Sequence, residues 1–422
     1  MTLFKTTLWT GFSTFIKVIS TYLLWKIIAV YTGPTGMAVL EQFQNFIQIC
    51  RSLSCSLSQG IIKYVSEYKD NEEKKAKILS SALGFYFIIS IIVTFLLILF
   101  SKFISEKVFS SFAYQKTIII LAISITLYSL NNLLLSILNG ELEIKKYVSC
   151  NVANTILSFI ITGYLVIYHG IQGGVIGLSL NQSIALALTI YLVIKSKWFN
   201  FHFYLNGIDK ESIKKLFKYA IVSFVPILMV PISLMISRQW IAHELSWQEA
   251  GYWQGIMKLS DGYLILMDLM ISVYLIPKLS SIRLLSEFKA EVINCYRLII
   301  PCVFLGLSFI FLFKKQIVTI LFTKEFYPML ILFKYQMMGD MARVGTWLLA
   351  NIMAAKAMIK ILVVSEITFN LSYIFLTMIF VHYYGLIGTS IAFAINSLIY
   401  FSSMIFFTVR CVRNGSFQLI NV

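Results

Sequence analysis

Charged side chains inside long apolar segments are the residues of this sequence whose types and spacing could do chemistry. Lys17 lies near the middle of an apolar run over residues 8–30, on one helical face with Thr14 and Thr21. A lysine at that depth in a membrane is costly, so we expect it to face a water-filled interior, where it can bind an anion. The alternative is neutralisation by a carboxylate of a neighbouring helix.

A second polar face lies in the apolar run over residues 250–276. Gln254, Lys258, Asp261 and Asp268 follow one another at steps of four, three and seven, which places them on one side of a helix. Lys258 and Asp261 can pair with each other, which would be a structural role. Asp268 has no local partner, and a carboxylate alone at low dielectric can carry a proton. A cross-helix ion pair is the alternative for Asp268.

Five further charges complete the candidate set. Glu41 lies on a polar helical face near the outer mouth of its run, where a purely interfacial carboxylate is the alternative, and Arg51 lies beside that face. Asp340 and Arg343 are three residues apart, so a local ion pair is the alternative to a functional role. Glu366 shares a face with an asparagine four residues later. Acidic residues of this kind suit ion pairing or the coupling of transport to H⁺ or Na⁺.

The elements that must position these residues are membrane-spanning helices. Hydrophobic residues make up 59% of the sequence and charged residues 13%, with a mean hydropathy of +0.82, whereas soluble domains carry roughly 25% charged residues. Such a composition predicts an all-α polytopic membrane protein. Apolar runs predict twelve transmembrane helices near residues 8–30, 37–62, 78–100, 117–138, 148–168, 174–194, 216–237, 250–276, 293–313, 331–353, 361–381 and 386–409.

The basic residues predict the orientation rather than a nucleic-acid partner. The net charge of +16 comes from short loops between the apolar runs. With the amino terminus inside, the inner segments hold 22 of the 35 Lys and Arg residues and the outer segments hold seven, one of them Arg238. This asymmetry predicts a multi-pass inner-membrane protein with both termini in the cytoplasm. We predict no nucleic-acid binding.

The chain divides near its middle. The long inner loop over residues 195–215 separates two sets of six predicted spans, which we assign to an N-terminal lobe, 1–200, and a C-terminal lobe, 201–422. Gly36 is followed after 27 residues by Lys63, and Gly251 is followed after 27 residues by Lys278. Two related six-helix lobes are typical of a transporter with its site at their interface.

The sequence lacks the motifs of common enzyme classes, which disfavours an enzymatic function. No HExxH, GxSxG or Walker pattern occurs, the histidines lie in loops or at span ends, and the six cysteines form no CxxC pair. We therefore predict no catalytic residue, no metal site and no cofactor. Membrane lipids are the expected surroundings.

Short stretches in a fixed order resemble the Wzx-type flippases of lipid-linked O-antigen and enterobacterial common antigen, which belong to the multidrug/oligosaccharidyl-lipid/polysaccharide superfamily. The stretches are Thr7-Leu8-Trp9-Thr10 with Ser13-Thr14 and Lys17, Gly33-Pro34 with Gly36, Lys63-Tyr64-Val65 to Asp70-Asn71, Trp253-Gln254-Gly255 to Ser260-Asp261, Ser272-Val273-Tyr274-Leu275 with Pro277, and Gly339-Asp340 to Val344-Gly345.

The resemblance implies two six-helix lobes around a central, often cationic cavity, and a flippase that moves undecaprenyl-diphosphate-linked O-antigen or related repeat units to the periplasmic leaflet by alternating access. Lys17, Asp261, Asp340 and Arg343 match the family pattern. The predicted substrate-binding residues are Lys17, Arg51, Lys258 and Arg343; the predicted coupling or ion-pair residues are Glu41, Asp261, Asp268, Asp340 and Glu366. A polymerase and a chain-length regulator of the same pathway are the expected protein partners.

Three rival functions stay open at this point. A cation-coupled multidrug exporter of the same superfamily would favour an acidic cavity. An O-antigen polymerase-type enzyme would need a large outer loop or an intramembrane histidine, and the sequence has neither. A scaffold of cell-wall assembly would tolerate removal of the intramembrane charges.

Overall fold

The computed structural model describes residues 3–54, 57–196, 198–200, 207–270, 278, 282, 284–356 and 358–413. Over these residues the regular structure is helical. The α-helices, in chain order, are α1 (Leu3–Ser54), α2 (Ser58–Glu67), α3 (Glu72–Leu99), α4 (Ser101–Phe109), α5 (Gln115–Gly140), α6 (Ile144–Ile194), α7 (Lys210–Glu244), α8 (Trp247–Met270), α9 (Leu285–Leu312), α10 (Lys314–Leu321), α11 (Phe333–Ala355), α12 (Ile359–Tyr384) and α13 (Leu386–Arg413).

Two of these helices are hairpins of two arms. Inside α1 the backbone leaves the helical region at Gly33 (φ 62°), and inside α6 it does so at Gly170 (φ 55°). Glycine suits both positions because a Cβ disfavours positive φ. Counted by arms, α1 and α6 contribute four long segments, and α3, α5, α7, α8, α9, α11, α12 and α13 contribute eight. The described residues thus contain the twelve long helices that the sequence predicts.

Apolar side chains on the outside of the long helices are what a lipid environment requires. Within the part of the chain that the structure describes, seven stretches are long and apolar enough to cross a membrane, among them Glu72–Leu99 and Ser286–Leu312. On α9, Leu298, Leu305 and Leu312 are each more than two-thirds exposed to the protein's surroundings. A soluble protein would not leave so many large apolar side chains in water.

Helices α8 and α11 do not appear among those seven apolar stretches. They carry the charges that the sequence singles out: Lys258, Asp261 and Asp268 on α8, and Asp340 and Arg343 on α11. Their polarity therefore comes from the candidate functional residues, which must be sheltered from lipid.

The structure also contains elements that the apolar pattern did not predict. Short helices α4 and α10 occupy the predicted outer loops that follow α3 and α9, and each is followed by a 3₁₀ segment, Phe112–Tyr114 or Lys324–Ile331. These helices are too short to span a bilayer, and the sequence reasoning searched only for spans.

The chain forms two compact units. Unit 1 comprises residues 1–32 and 39–232, and unit 2 comprises residues 33–38 and 233–422. The change of unit falls inside α7, between Ile232 and Ser233. The lobe boundary at residue 200, and the cavity implied by the family resemblance, remain predictions.

An ion pair without access to water ties together the predicted cytoplasmic end of unit 1. Lys75 of α3 pairs with Glu141 after α5, and both side chains are about 95% buried. Next to this pair, the indole Nε1 of Trp198 donates to Glu143 Oε1 at 3.0 Å, and Lys146 pairs with Glu143 Oε2 at 2.7 Å. The apolar runs predict only that Lys75 lies in the inner segment between the spans that end at residue 62 and begin at residue 78.

The segment that leads into α7 is also fixed to unit 1. The backbone N–H of Asp209 donates to Ser81 Oγ at 2.8 Å, and Leu216 is fully buried beside Gly60. Asp209 caps α7, since its Oδ2 accepts from the Ser212 N–H at 2.8 Å. These hydrogen bonds to Ser212 lower the pKa of the Asp209 carboxyl.

In unit 2, the outer bend of α1 packs directly on α8. A Cβ added to Gly251 would lie 2.0 Å from the carbonyl oxygen of Pro34, so only glycine permits this contact. Ala38 is buried in the same apolar cluster as Ile241 and Trp253. Gly251 and Gly36, which lies three residues after the bend at Gly33, are the two positions that the 27-residue echo of the sequence relates to each other.

A second pair of related turns extends that echo. Gly170 inside α6 (φ 55°, ψ −137°) and Gly385 between α12 and α13 (φ 59°, ψ −140°) have nearly the same backbone conformation. Three residues after each, Gly173 and Gly388 lie against a carbonyl oxygen of the preceding arm, 1.9 and 2.0 Å from where a Cβ would sit. Residue 385 less 170 gives 215, as do 388 less 173 and 251 less 36.

We expect Gly388→Ala to lower the stability of the protein by about 1–3 kcal/mol, because the methyl group would overlap the Phe380 carbonyl oxygen and force the two arms apart. The control is Gly306→Ala in α9, where a Cβ meets nothing within 4 Å and where alanine favours the helix by up to about 1 kcal/mol. Thermal unfolding midpoints of the purified variants in detergent measure both effects. Equal midpoints would contradict the close packing of the hairpin.

We expect Glu141→Gln to destabilise the protein by about 3–5 kcal/mol, because it removes the charge of one partner from a buried ion pair and leaves the Lys75 ammonium buried without that carboxylate. The double variant Lys75→Met/Glu141→Leu removes both charges and should recover most of the unfolding midpoint. The matched control is Glu73→Gln, whose pair with Lys77 is exposed and contributes at most about 1 kcal/mol. A double variant no more stable than Glu141→Gln would show that the charge is not the cause.

Candidate functional site

A buried carboxylate marks the contact between α8 and α11 in unit 2. Asp340 is fully buried. Its Oδ1 accepts a hydrogen bond from Ser260 Oγ at 2.5 Å, and its Oδ2 accepts one from the Tyr263 hydroxyl. Ser260 and Tyr263 are three residues apart on α8, so one turn of that helix presents both hydroxyls. Two hydroxyl donors offset part of the cost of removing the carboxylate from water.

An ion pair joins the same two helices one turn along. Arg343 Nη1 of α11 lies 3.1 Å from Asp261 Oδ1 of α8. The Arg343 side chain is 29% exposed and that of Asp261 is 53% exposed, so the pair borders open space. Neither local pairing considered from the sequence occurs, because Asp261 pairs with Arg343 and not with Lys258, and Asp340 takes hydroxyl donors in place of Arg343.

An aromatic ring extends this cluster. The Arg343 guanidinium carbon lies 4.9 Å from the ring centroid of Trp347, which is one helical turn away. One further turn along, Asn351 Nδ2 donates to the backbone carbonyl of Trp347 at 2.9 Å. Arg343, Trp347 and Asn351 therefore form one polar and aromatic face of α11.

Glu366 belongs to a separate network on α12 in unit 2. The Tyr400 hydroxyl donates to Glu366 Oε1 at 3.3 Å, and Asn370 Nδ2 donates to Glu366 Oε2 at 3.3 Å. Asn370 Oδ1 in turn accepts from Ser233 Oγ of α7 at 2.8 Å. The ring of Tyr400 stacks on Phe369 with centroids 4.2 Å apart. These hydroxyl and amide donors make Glu366 part of a helix-to-helix network.

The candidates of unit 1 lie on α1. The Lys17 side chain is exposed, while the side chains of Ser13, Thr14 and Ser20 around it are partly buried. The Arg51 guanidinium lies 4.3 Å from the ring centroid of Tyr128 on α5. Glu41 is 4% exposed. Within unit 1 these three are spread along both arms of α1.

The structure describes fewer contacts for the two remaining candidates, Lys258 and Asp268. Lys258 is partly buried on α8, one turn before Asp261. Asp268 lies on the last turns of α8, and its side chain lies outside the described residues. The structure thus brings Asp261, Asp340 and Arg343 together, whereas Lys17, Arg51 and Glu41 belong to unit 1.

Sequence reasoning misplaced one charge. It assigned Arg238 to an outer loop, but α7 continues to Glu244 and Arg238 is fully buried within it. Its Nη2 donates to Gln254 Oε1 at 2.7 Å, and its guanidinium lies 5.4 Å from the ring centroid of Trp253. Trp240 and His243, which follow Arg238, are three residues apart, a spacing that is typical of a helix. This spacing is the sequence signal that the helix continues past Arg238.

These side chains can bind a ligand and neutralise one another's charges. Over the described residues, no group of three or more His, Cys, Asp or Glu side chains could hold a metal ion. Cations, amides, hydroxyls and aromatic rings line the polar faces, and such groups recognise phosphate and sugar hydroxyls.

Comparisons with known proteins agree with this description. The chain is 25% identical over 409 residues to the Lipid III flippase of Escherichia coli (strain K12), which covers 95% of this chain and 97% of the relative. The fold of this chain is similar to that of an inward-facing multidrug resistance MATE family transporter of the MOP superfamily. The TM-score is 0.77 and the identity 13%, over 93% of this chain and 94% of that one.

A second solved structure has the same architecture. The lipid II flippase MurJ in an inward closed conformation matches with a TM-score of 0.75 and 17% identity, over 94% of this chain and 87% of that one. These likenesses confirm the predicted fold class of a twelve-helix, two-lobe membrane protein. All three relatives are transporters or flippases, which confirms the prediction of a bacterial multi-pass transporter rather than an enzyme.

The family follows from a match over most of the chain. Residues 3–283 match the polysaccharide biosynthesis protein family, and this range covers α1 to α8. The chain belongs to the polysaccharide biosynthesis protein family.

Proposed function

We propose that this protein is a flippase that moves undecaprenyl-diphosphate-linked oligosaccharide repeat units, of the O-antigen or a related type, from the cytoplasmic to the periplasmic leaflet. The observation that carries the proposal is the similarity to a Lipid III flippase along nearly the whole length of both proteins. The intramembrane cations and the polar face of α11 support it, because a lipid-linked sugar diphosphate presents phosphate oxygens and hydroxyls.

The proposed substrate combines a diphosphate with sugars. Lys17, Arg51, Lys258 and Arg343 are the proposed substrate-binding residues, because cations donate charge-assisted hydrogen bonds, which are roughly twice as strong as neutral ones. Of these, Arg343 shares its charge with Asp261 at 3.1 Å. Lys17 on its exposed position is therefore the strongest candidate for the phosphate.

Transport would proceed by alternating access, with the substrate-binding residues open first to the cytoplasmic and then to the periplasmic side. The membrane potential, negative inside, favours outward movement of an anion by roughly 2.3 kcal/mol per charge per 100 mV. A diphosphate carries about two such charges, so the potential alone supplies a driving force.

The proposed setting is the bacterial inner membrane, with both termini in the cytoplasm. The excess of Lys and Arg in the predicted inner segments supports this orientation. Reassigning Arg238 from an outer loop to the interior of α7 increases the asymmetry. A polymerase and a chain-length regulator of the same pathway are the proposed partners, since they would act on the product at the periplasmic face.

We also propose that Asp340 couples transport to protons. Its carboxylate is fully buried, and it contacts two hydroxyls, those of Ser260 and Tyr263, while Arg343 one turn away pairs with Asp261. A buried carboxylate in such a setting can be neutral in one state of the cycle and ionised in another. The experiment below separates Na⁺ from H⁺ coupling and Glu366 from Asp340. Roles for Glu41 and Asp268 are further alternatives.

A multidrug exporter is the second candidate, because the MATE transporter has the higher of the two TM-scores. It predicts drug resistance in cells that overproduce the protein and normal surface glycan in cells that lack it. The flippase proposal predicts the reverse on both counts.

We expect Lys17→Ala to abolish surface glycan and to cause the lipid-linked repeat unit to accumulate in the inner leaflet, because the diphosphate loses its cation. Lys17→Arg should retain transport. Glycan displayed on gels, lipid-linked intermediates in extracts and protein content of the membrane are measured together.

Lys26→Ala is the matched control, since Lys26 lies on the same arm of α1 nearer its outer end, where snorkelling to the interface explains it. It should leave glycan export close to wild type. Normal glycan in Lys17→Ala cells, with normal protein levels, would overturn the assignment of Lys17 and weaken the flippase proposal.

We expect Asp340→Asn to keep the fold, because the amide oxygen can accept from the hydroxyl of Ser260 while the amide NH2 donates to the hydroxyl oxygen of Tyr263, but to remove the dependence of transport on a pH gradient. Uptake of a fluorescent lipid-linked sugar into proteoliposomes is measured with an imposed pH, Na⁺ or potential difference. Glu366→Gln is the control and should keep the wild-type response. A response to pH that survives in Asp340→Asn contradicts the coupling role.

A further inference from the structure

On the face of α11 that contains Arg343, Trp347 and Asn351, some hydrogen-bonding groups have no partner among the described residues. Trp347 is partly buried, with the guanidinium of Arg343 at 4.9 Å from its ring centroid. Its indole N–H has no acceptor among the described residues. An unpaired indole N–H beside a partly open ring, inside a membrane protein, is a donor available to a ligand.

The polar groups next to the ring also have unused positions. Asp261 uses Oδ1 for Arg343 at 3.1 Å, and its side chain is 53% exposed. Asn351 uses its Nδ2 on the backbone of Trp347, and its amide oxygen accepts no hydrogen bond among the described residues. A ring, a guanidinium, a carboxylate and an amide thus lie within two turns of one helix and the facing turn of α8.

The charge of this cluster does not favour phosphate over a neutral ligand. Arg343 is paired with Asp261, and Asp340 lies one turn away on the same helix. A diphosphate placed here would meet two carboxylates, Asp261 and Asp340, as well as the two cations Arg343 and Lys258, so the cluster offers it no net positive charge. A neutral ligand with many hydroxyls needs none.

A pyranose ring has the complementary chemistry. One of its faces presents C–H groups that pack on an aromatic ring, and its edge presents hydroxyls that both donate and accept. A carboxylate and an amide oxygen accept from such hydroxyls, while a guanidinium and an indole N–H donate to them. A few convergent polar groups around an aromatic surface are also typical of small-molecule sites.

We propose that Trp347, Arg343, Asp261 and Asn351 form a subsite for an uncharged sugar residue of the lipid-linked oligosaccharide. The inference rests on the proposed flippase function and deepens it, because it separates the group that binds sugar from the group that binds diphosphate. The cluster offers no net positive charge to an acidic sugar, so the residue that we assign to this subsite is a neutral or N-acetylated hexose.

The test compares two lipids on the purified protein in nanodiscs. One is the lipid-linked repeat unit extracted from cells of the source strain that lack this protein, and the other is undecaprenyl diphosphate without sugar. Trp347→Leu removes the aromatic surface and the N–H donor but keeps an apolar side chain, and it should weaken binding of the sugar-bearing lipid by about tenfold, or about 1.4 kcal/mol. It should leave the affinity for undecaprenyl diphosphate unchanged. Trp347→Phe keeps an aromatic ring and loses only the N–H donor, so it should weaken the sugar-bearing lipid by less than Trp347→Leu.

Asp261→Asn provides an independent readout. It frees the charge of Arg343, so it should strengthen the binding of undecaprenyl diphosphate, whereas a merely structural ion pair would lower the affinity for both lipids or the unfolding midpoint. Lys17→Ala should weaken both lipids alike, because both contain the diphosphate.

The outcomes separate the two proposals. If the wild-type protein binds neither lipid, the flippase function fails. If it binds both, and Trp347→Leu affects neither lipid or both lipids equally, the flippase function stands and the sugar subsite is wrong. If Trp347→Leu fails to fold, the Trp347→Phe and Asp261→Asn measurements still decide, since unchanged selectivity in Asp261→Asn contradicts the charge argument.

Discussion

The cost of holding charge at low dielectric is the constraint on which the interior of unit 2 depends. An unpaired charge at the centre of a membrane helix costs several kcal/mol, so each one must meet a partner from another helix or open water. Asp340 meets two hydroxyls of α8, Arg343 meets Asp261, and Arg238 meets Gln254 and Trp253. These contacts fix how α7, α8 and α11 are rotated about their axes, because a small rotation would expose a charge to lipid.

The same constraint acts on the backbone and explains the turns. In lipid every N–H and C=O must be paired within the protein, so spans are helices and the links between paired arms are short. Gly170 and Gly385 reverse the chain with positive φ, and the glycine three residues later lets the arms approach until a carbonyl oxygen touches the helix. Their equal spacing of 215 residues (385 less 170) indicates one hairpin design used in both units.

The length of the apolar runs was sufficient to predict the twelve long helices, and helical spacing was sufficient to predict the polar faces. Both depend only on residues that are close together in the sequence. Partners were not predictable in this way. Local spacing suggested Lys258 with Asp261 and Asp340 with Arg343, but the pair that forms joins residues 82 apart in sequence. Which side chain of α8 faces which of α11 depends on helix packing, as does the burial of Lys75 against Glu141, and neither is encoded in a single helix.

Pairing within the protein also determines what remains for a ligand. Arg343 is a cation by type, yet Asp261 removes most of its attraction for phosphate and leaves its N–H groups able to donate to a hydroxyl. Lys17, by contrast, extends from an arm of α1 whose neighbouring polar side chains are hydroxyls, Ser13, Thr14 and Ser20. A substrate with an anionic and a neutral part is matched by two such environments, and a drug-like cation by neither. The distribution of neutralised and unneutralised charge therefore favours a sugar diphosphate over an organic cation as the transported group.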